Sequence, residues 1–424
     1  MQVIRNLNVK EEVYIEKLEN GLTVMIIPKK GALKKYVIWG TNFGSIDNHF
    51  MIKQDHEEVQ IPDGVAHFLE HKLFEQENGT NSLDVLSSLG VDANAYTTND
   101  HTAYLFEATN HFYEALDELM NYVQNPYFTD ENVEKEKGII GQEINMYEDE
   151  PEWQVYMNAM KLMYHVNPIN IDIAGSIESI SKIDKEILYK AYNNFYDLSN
   201  MLLVVCGDFD PEEILEEVKK RITKTSSQKE VQRIYAKEPE EIVENTKTVS
   251  MEVSMPIFAI GFKDKLEQND KIVKKSIAIQ ILLYMLLGKS SEGYQTLYNN
   301  GDIISEPLLD YEFSKQYAHV LITGGAKNPQ KVVEMLKTQI QKYKTSGLNK
   351  EHFERIKKKI YGDYISGYND VGNIARMFLS DYFKGINSFD YLEQYNSVSI
   401  DYAKQILDEV FNINKMVVSI VKGK

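Results

Sequence analysis

The sequence predicts an α+β fold built from two related domains. A length of 424 residues exceeds what one hydrophobic core usually serves, and 43% apolar residues are enough to fill two or three. The stretch 223–247, TKTSSQKEVQRIYAKEPEEIVENTK, is polar and charged with few large apolar residues, as a link between domains is. On either side of it the chain opens with strand-like segments and continues through a helix, a strand and a helix. These features place a first domain at 1–228, a linker at 229–246 and a second domain at 247–424.

Along the first domain, 13–18 (VYIEKL) and 22–28 (LTVMIIP) have the composition of strands. Residues 101–108, HTAYLFEA, and their surroundings read as strand on the same grounds, and the segment from Thr102, TAYLFEATNHFYEALDELMNYVQN, continues through a polar turn into an amphipathic helix. Residues 134–151, EKEKGIIGQEINMYEDEP, form a helix with Ile139, Ile140, Ile144 and Tyr147 on one side. The apolar run 201–209, MLLVVCGDF, is a strand that buries the single cysteine, Cys206.

The second domain opens with 248–253 (TVSMEV) and 257–262 (IFAIGF). From Tyr317, YAHVLITGGAKNPQKVVEMLKTQIQK repeats the strand, polar turn and amphipathic helix found from Thr102. The charged helix recurs as ERIKKKIYGD from Glu354, where Ile356 matches Glu136 and Asp363 matches Glu143. The echo points to an internal duplication.

Chemistry enters at His67-Phe68-Leu69-Glu70-His71. Residues four apart lie one above the other on a helix, so both imidazoles reach one point and can grip one metal ion. Glu70, immediately before His71, is placed to face an open coordination site and take a proton from water there. H-x-x-E-H is the inverse of the zincin order H-E-x-x-H and is known as the inverzincin pattern. Two histidines are not a zinc site, since catalytic zinc keeps three protein ligands and leaves a position for water. A third ligand is available from the helix at 134–151, where Glu136 and Glu143 share a face at helical spacing. Glu134 also lies in that acidic run, and spacing does not choose among them.

With these residues in view, the chain resembles the pitrilysin, insulysin and mitochondrial processing peptidase group of zinc metallopeptidases, the inverzincins, in a short, single-unit bacterial form. The resemblance rests on Gly64-Val65-Ala66-His67-Phe68-Leu69-Glu70-His71 with Phe74, on Asn94-Ala95-Tyr96-Thr97 followed by His101-Thr102-Ala103-Tyr104, and on Glu134-Lys135-Glu136 leading to Glu143. It covers nearly the whole chain. It implies two domains of the processing-peptidase-like metallohydrolase fold, each an antiparallel-rich sheet covered by helices. It implies His67, His71 and Glu143 as ligands of one Zn2+ per chain, Glu70 as general base and Glu136 as a supporting acidic residue. Asn94, Ala95 and Tyr96 become an edge strand that receives the substrate as an added strand, with Phe68 beside them in substrate binding. The second domain, with Met285-Leu286-Leu287-Gly288 where the motif would stand, is expected to be a metal-free repeat.

One departure from the family bears on assembly. Members carry an arginine and a tyrosine seven residues apart in their second half or in a partner's. Here Tyr298 stands at the arginine position and Ser305 at the tyrosine position. The expected function is therefore a zinc-dependent endopeptidase subunit acting on peptides or small unfolded proteins in a closed chamber. The missing pair would come from a homologous partner chain in a heterodimer. If Lys289 or Tyr294 substitutes, the alternative is an active homodimer or monomer. A reading from another class makes the chain a non-catalytic peptide-binding or scaffolding subunit. The many tyrosines of the second half (Tyr311, Tyr317, Tyr364, Tyr368) are expected to serve packing.

Composition narrows the remaining choices. A net charge of −18 argues against a nucleic-acid partner, whose phosphates call for a basic surface, and its spread over the whole chain fits solubility. The N-terminus lacks a signal-peptide core and no stretch approaches a membrane span, so no membrane association is expected. One cysteine allows no internal disulfide, which fits a reducing cytoplasm.

Overall fold

A computed structural model describes residues 1–226, 230–267 and 269–424. The expected domain boundary at 228 and the first linker residue, 229, lie outside the described residues. The first compact unit contains β1 (Gln2–Asn6), β2 (Glu11–Lys17), β3 (Thr23–Pro28), β4 (Lys35–Thr41), β5 (His49–Ile52), β6 (Glu57–Gln60), β7 (Asp92–Thr97), β8 (Thr102–Ala108), β9 (Met201–Gly207) and β10 (Val231–Arg233). Seven of these form one sheet in the order β1-β2-β3-β9-β4-β8-β7, antiparallel except for the β3–β9 pair. Its central strands β3, β4 and β9 are buried almost end to end, which is why β3 and β9 read as apolar runs. The free thiol of Cys206 is buried in β9. One face of the sheet shares a core with the helices Val65–Lys72, Phe112–Gln124, Asp130–Glu148 and Lys185–Phe195, through Trp39, Leu69, Phe106, Leu116, Ile140 and Tyr192.

The second unit holds β11 (Thr246–Met251), β12 (Ile257–Lys263), β13 (Leu308–Phe313), β14 (Ala318–Gly325) and β15 (Met416–Gly423) in the order β11-β15-β12-β14-β13. Only β11–β15 is parallel. Strand for strand, this repeats β3-β9-β4-β8-β7 in order, direction and chain sequence, so the echo between residues 102 and 317 is a duplicated α+β architecture. Two antiparallel-rich sheets with helical cover are what the family resemblance implies. The helix Asn269–Leu287 ends in fully buried Met285, Leu286 and Leu287. Tyr311, Tyr317 and Tyr368 are buried and Tyr364 stacks on Tyr391 with centroids 5.0 Å apart, which agrees with a packing role.

The division into units differs from the contiguous one. The first consists of Met1–Ile144, Asp172–Tyr235 and Ile365–Ser388, the second of Asn145–Ile171, Ala236–Tyr364 and Phe389–Lys424. Thus the helix Val371–Lys384, from the second half of the sequence, packs on β4 and β9, while Pro151–Met163, from the first half, packs on β12 and β15. A glycine makes room in each case. A Cβ on Gly40 of β4 would lie 2.8 Å from Leu379 Cδ1 and 3.0 Å from Phe383, and one on Gly261 of β12 would lie 2.9 Å from Met163 Sδ.

Two local expectations are also corrected. The region expected as a bare linker contains β10, paired with β5. It is fixed there because the buried Asp47 accepts hydrogen bonds from Gly44 N–H (2.9 Å), Arg233 Nε (2.7 Å) and the Tyr235 hydroxyl (2.5 Å). In the helix Asp130–Glu148, Ile140 and Ile144 are buried but Ile139 is 45% exposed, because the buried stripe runs through Val133, Glu136, Ile140, Gly141 and Ile144.

Candidate metal centre

The helix Val65–Lys72 buries Val65, Ala66, Phe68, Leu69 and Lys72, which turns His67, Glu70 and His71 away from the core. Its entry is set by Gly64, whose φ of +94° is a left-handed conformation suited to glycine, and where a Cβ would lie 2.4 Å from Ala174 O. The two imidazole centroids are 4.5 Å apart. Helix Asp130–Glu148 supplies the carboxylates. Glu143 Oε2 lies 3.7 Å from His67 Nε2 and 3.5 Å from His71 Nε2. Glu136, almost fully buried two helical turns earlier, accepts a hydrogen bond from His71 Nδ1 at 3.0 Å. Glu134 points outward and pairs with Lys137 at 3.0 Å.

Among the described residues, His67, His71 and Glu143 are the only group of three or more His, Cys, Asp or Glu side chains whose ligand atoms lie within 4.8 Å of one another. Zinc bound tetrahedrally at about 2.0–2.2 Å separates its ligand atoms by roughly 3.3–3.6 Å. The observed separations require only small side-chain adjustments, and an N2O donor set suits zinc. Electrostatics agrees with a cation at this point. Burial, helped by the charge of His71, pushes the His67 ring down to about 3, and its Nδ1 has no hydrogen-bond partner among the described residues. Such a ring is neutral and keeps a lone pair for a metal. Burial lifts Glu143 above the usual carboxylate range, against the pull of His71. A cation beside it would supply the charge that desolvation makes costly to lack. Burial also acts to raise Glu136, but the hydrogen bond and charge of His71, with Lys72, hold it below the usual range. Burial acts to lower His71, yet its bond to Glu136 and the surrounding carboxylates raise it. His71 is thus gripped through Nδ1 while Nε2 faces Glu143, the carboxylate–histidine arrangement common behind metal ligands.

Glu70 is not part of that ligand group. Its Oε2 accepts a hydrogen bond from Thr97 Oγ1 at 2.6 Å, and burial raises its pKa despite that bond and the charge of His71. Thr97 ends β7, the outermost strand of the sheet, so the acid stands beside an open strand edge. Asn94, Ala95 and Tyr96 lie on that strand. The Tyr96 side chain turns to the other face, against His101 at 5.6 Å between centroids, with Phe383 behind it. Phe68, expected to meet substrate, has no exposed surface and belongs to the core, because its position on the helix is one of the inward ones. In the second unit, Tyr298 is half exposed and stacked on Tyr294 at 5.6 Å, Ser305 is exposed, Tyr294 is buried and Lys289 pairs with Glu306.

Two partners escape the sequence. Lys72, whose side chain is fully buried, lies 2.5 Å from Glu75 and 3.6 Å from Glu136. Thr97 reaches Glu70 across 27 residues of chain. No spacing rule signals Lys72–Glu136 or Thr97–Glu70. Among the described residues, no helix is long and apolar enough to cross a membrane.

Comparison with known proteins places this geometry in context. The profile for insulinase, peptidase family M16, matches residues 55–176, and that for the peptidase M16 inactive domain matches 182–360. An uncharacterized zinc protease, YmfH, of Bacillus subtilis is 37% identical over 98% of this chain and 97% of its own length. The mitochondrial-processing peptidase subunit beta of Dictyostelium discoideum is 22% identical, covering 87% of this chain and 79% of its own. A crystal structure described as an M16-like peptidase from Alicyclobacillus acidocaldarius superposes with a TM-score of 0.93 at 32% identity, covering 98% of this chain and 99% of that one. A protease from Helicobacter pylori shares the fold at a TM-score of 0.83 and 19% identity over 97% of this chain and all of that one. From the identity to the Bacillus zinc protease across almost the full length of both chains, the chain belongs to the insulinase family of peptidases, family M16.

Proposed function

We propose that this chain is a zinc-dependent endopeptidase subunit that hydrolyses peptides or small unfolded proteins. One observation carries the proposal: His67 Nε2, His71 Nε2 and Glu143 Oε2 converge on a single point, with Glu70 beside them at an open sheet edge. Zinc held there would act as a Lewis acid, polarising the scissile carbonyl and lowering the pKa of water toward about 7. The protein's own residues do the rest. His67, His71 and Glu143 bind the ion, and Glu136 holds the His71 ring in register. Glu70 takes the proton of the attacking water and delivers it to the leaving amine. The β7 strand of Asn94, Ala95 and Tyr96 receives the peptide by strand addition through the main-chain groups of its open edge, which holds it extended and demands little of its sequence.

The same proposal includes a homologous partner chain with which a closed chamber is completed. It is supported by Tyr298 and Ser305, which put no guanidinium at the family's arginine position and no phenol at its tyrosine position. It is supported too by the relative named as a subunit. Those two residues also favour a second reading, a non-catalytic subunit that holds peptides for another enzyme. Zinc content and hydrolysis of a quenched peptide, measured with and without the homologous partner, separate the two. Zinc together with turnover supports the peptidase, and a zinc-loaded complex in which this chain's site turns nothing over supports the scaffold.

A further inference from the structure

The open edge of β7 and the carboxylate of Glu70 meet in one residue. Thr97 Oγ1 donates to Glu70 Oε2 at 2.6 Å. Its main chain faces the other way, as the hairpin register shows. Thr98 N–H donates to His101 O at 2.8 Å, so 98 and 101 are a hydrogen-bonded pair of the β7–β8 ladder. Bonded and non-bonded pairs alternate in an antiparallel ladder. Thr97 opposite Thr102 is therefore a non-bonded pair, as is Ala95 opposite Tyr104, and the N–H and C=O groups of Thr97 and Ala95 point away from β8 into the open edge. The Ala95 N–H, on that side, is met only by the neighbouring Asn94 side chain at 2.9 Å. Side chains two apart share a face. Ala93 and Ala95 pack against the core that contains Phe68 and Leu69, and the Thr97 hydroxyl emerges on the same face, at Glu70.

We infer that Thr97 is the positioning residue of Glu70, fixing one carboxylate oxygen through its hydroxyl while presenting its main chain to an incoming peptide strand, so that strand addition and proton transfer share one rigid anchor. The inference rests on the reading of Glu70 as general base and β7 as the receiving strand. With Oε2 occupied by Thr97, Oε1 is the oxygen left to carry a proton, and the carboxylate plane is set relative to the peptide backbone. Threonine suits the task because β-branching fits a strand and restricts the torsion that aims the hydroxyl.

The test compares wild type, Thr97→Val, Thr97→Ser and Glu70→Gln for zinc content, kcat and KM on a quenched peptide, in whichever assembly the wild type turns over. Valine keeps the shape and loses the donor; serine keeps the donor. Thr97→Val should lower kcat about 10- to 100-fold with KM changed by less than about twofold and zinc unchanged, since loss of alignment costs rate and not binding. Thr97→Ser should stay within about threefold of wild type, because the donor remains. A role limited to holding the strand ranks the two in reverse, valine being the stronger strand former. Wild-type kcat in Thr97→Val overturns the inference, as does Thr97→Ser slowed equally, or an effect confined to KM or zinc. If Thr97→Val does not fold, Thr97→Ala takes its place with the same expected outcomes. Should Glu70→Gln turn over like wild type, the reading of Glu70 itself falls. An inactive Glu70→Gln beside a fully active Thr97→Val removes Thr97 alone.

Discussion

At the scale of single residues, Glu134 and Glu143 differ in a way that spacing leaves open. Both are glutamates of one helix, but only Glu143 turns its carboxylate toward the two imidazoles, while Glu134 salt-bridges Lys137 at the surface. Glu143→Gln should lose most of its zinc and Glu134→Gln should keep it; metal analysis of the two purified variants checks this. Glu136→Gln should retain fold and bind zinc about 10- to 100-fold more weakly, the usual cost of removing a partner behind a metal ligand. Competition with a chelator of known affinity measures that difference. The H-x-x-E-H motif was legible because its three functional side chains lie on one eight-residue helix, where position alone fixes direction. The contacts Thr97–Glu70 and Lys72–Glu136 were not, since each forms only when separate elements pack together. Phe68, which the resemblance assigns to substrate binding, lies in the core because its helical position faces inward, a direction that the family motif by itself does not give.

At the scale of elements, the duplicated sheet was legible and the exchange of helices was not. Strand composition and the strand, turn and helix echo survive in the sequence as local patterns. The placement of Val371–Lys384 on β4 and of Pro151–Met163 on β12 depends on long-range packing, and its only trace is a glycine at the matching place in each strand. Gly40→Val should crowd Leu379 and Phe383 and destabilise the protein by about 1–3 kcal/mol, the range for overpacking a filled core. Gly261→Val should do the same against Met163. Thermal unfolding of each variant checks the pair, and an unchanged transition in both would remove the role given to these glycines. The strand β10 hides in a polar stretch for a comparable reason. Its anchor is the ion pair of half-buried Arg233 with buried Asp47 rather than an apolar pattern. Arg233→Met should cost about 3 kcal/mol, because Asp47 stays buried without its cation; chemical denaturation reads this directly.

At the scale of the whole molecule, the proposed zinc site stands in one half of a duplicated architecture, and Tyr298 and Ser305 of the other half occupy the places of the family's arginine and tyrosine. By itself the chain should cleave a quenched peptide poorly, and a homologous chain carrying the pair should raise the rate and form a complex visible by mass measurement in solution. Robust turnover by the pure chain would contradict the need for a partner while leaving the zinc chemistry intact. The central claim is tested most directly by measuring zinc content and peptide turnover side by side on wild type and Glu70→Gln, each with the partner present. About one zinc per chain is expected in both proteins, with turnover lowered about 10²- to 10⁴-fold in the variant, as loss of a positioned proton carrier entails. A zinc-loaded Glu70→Gln protein that turns over at the wild-type rate, or an active wild type without zinc, would contradict it.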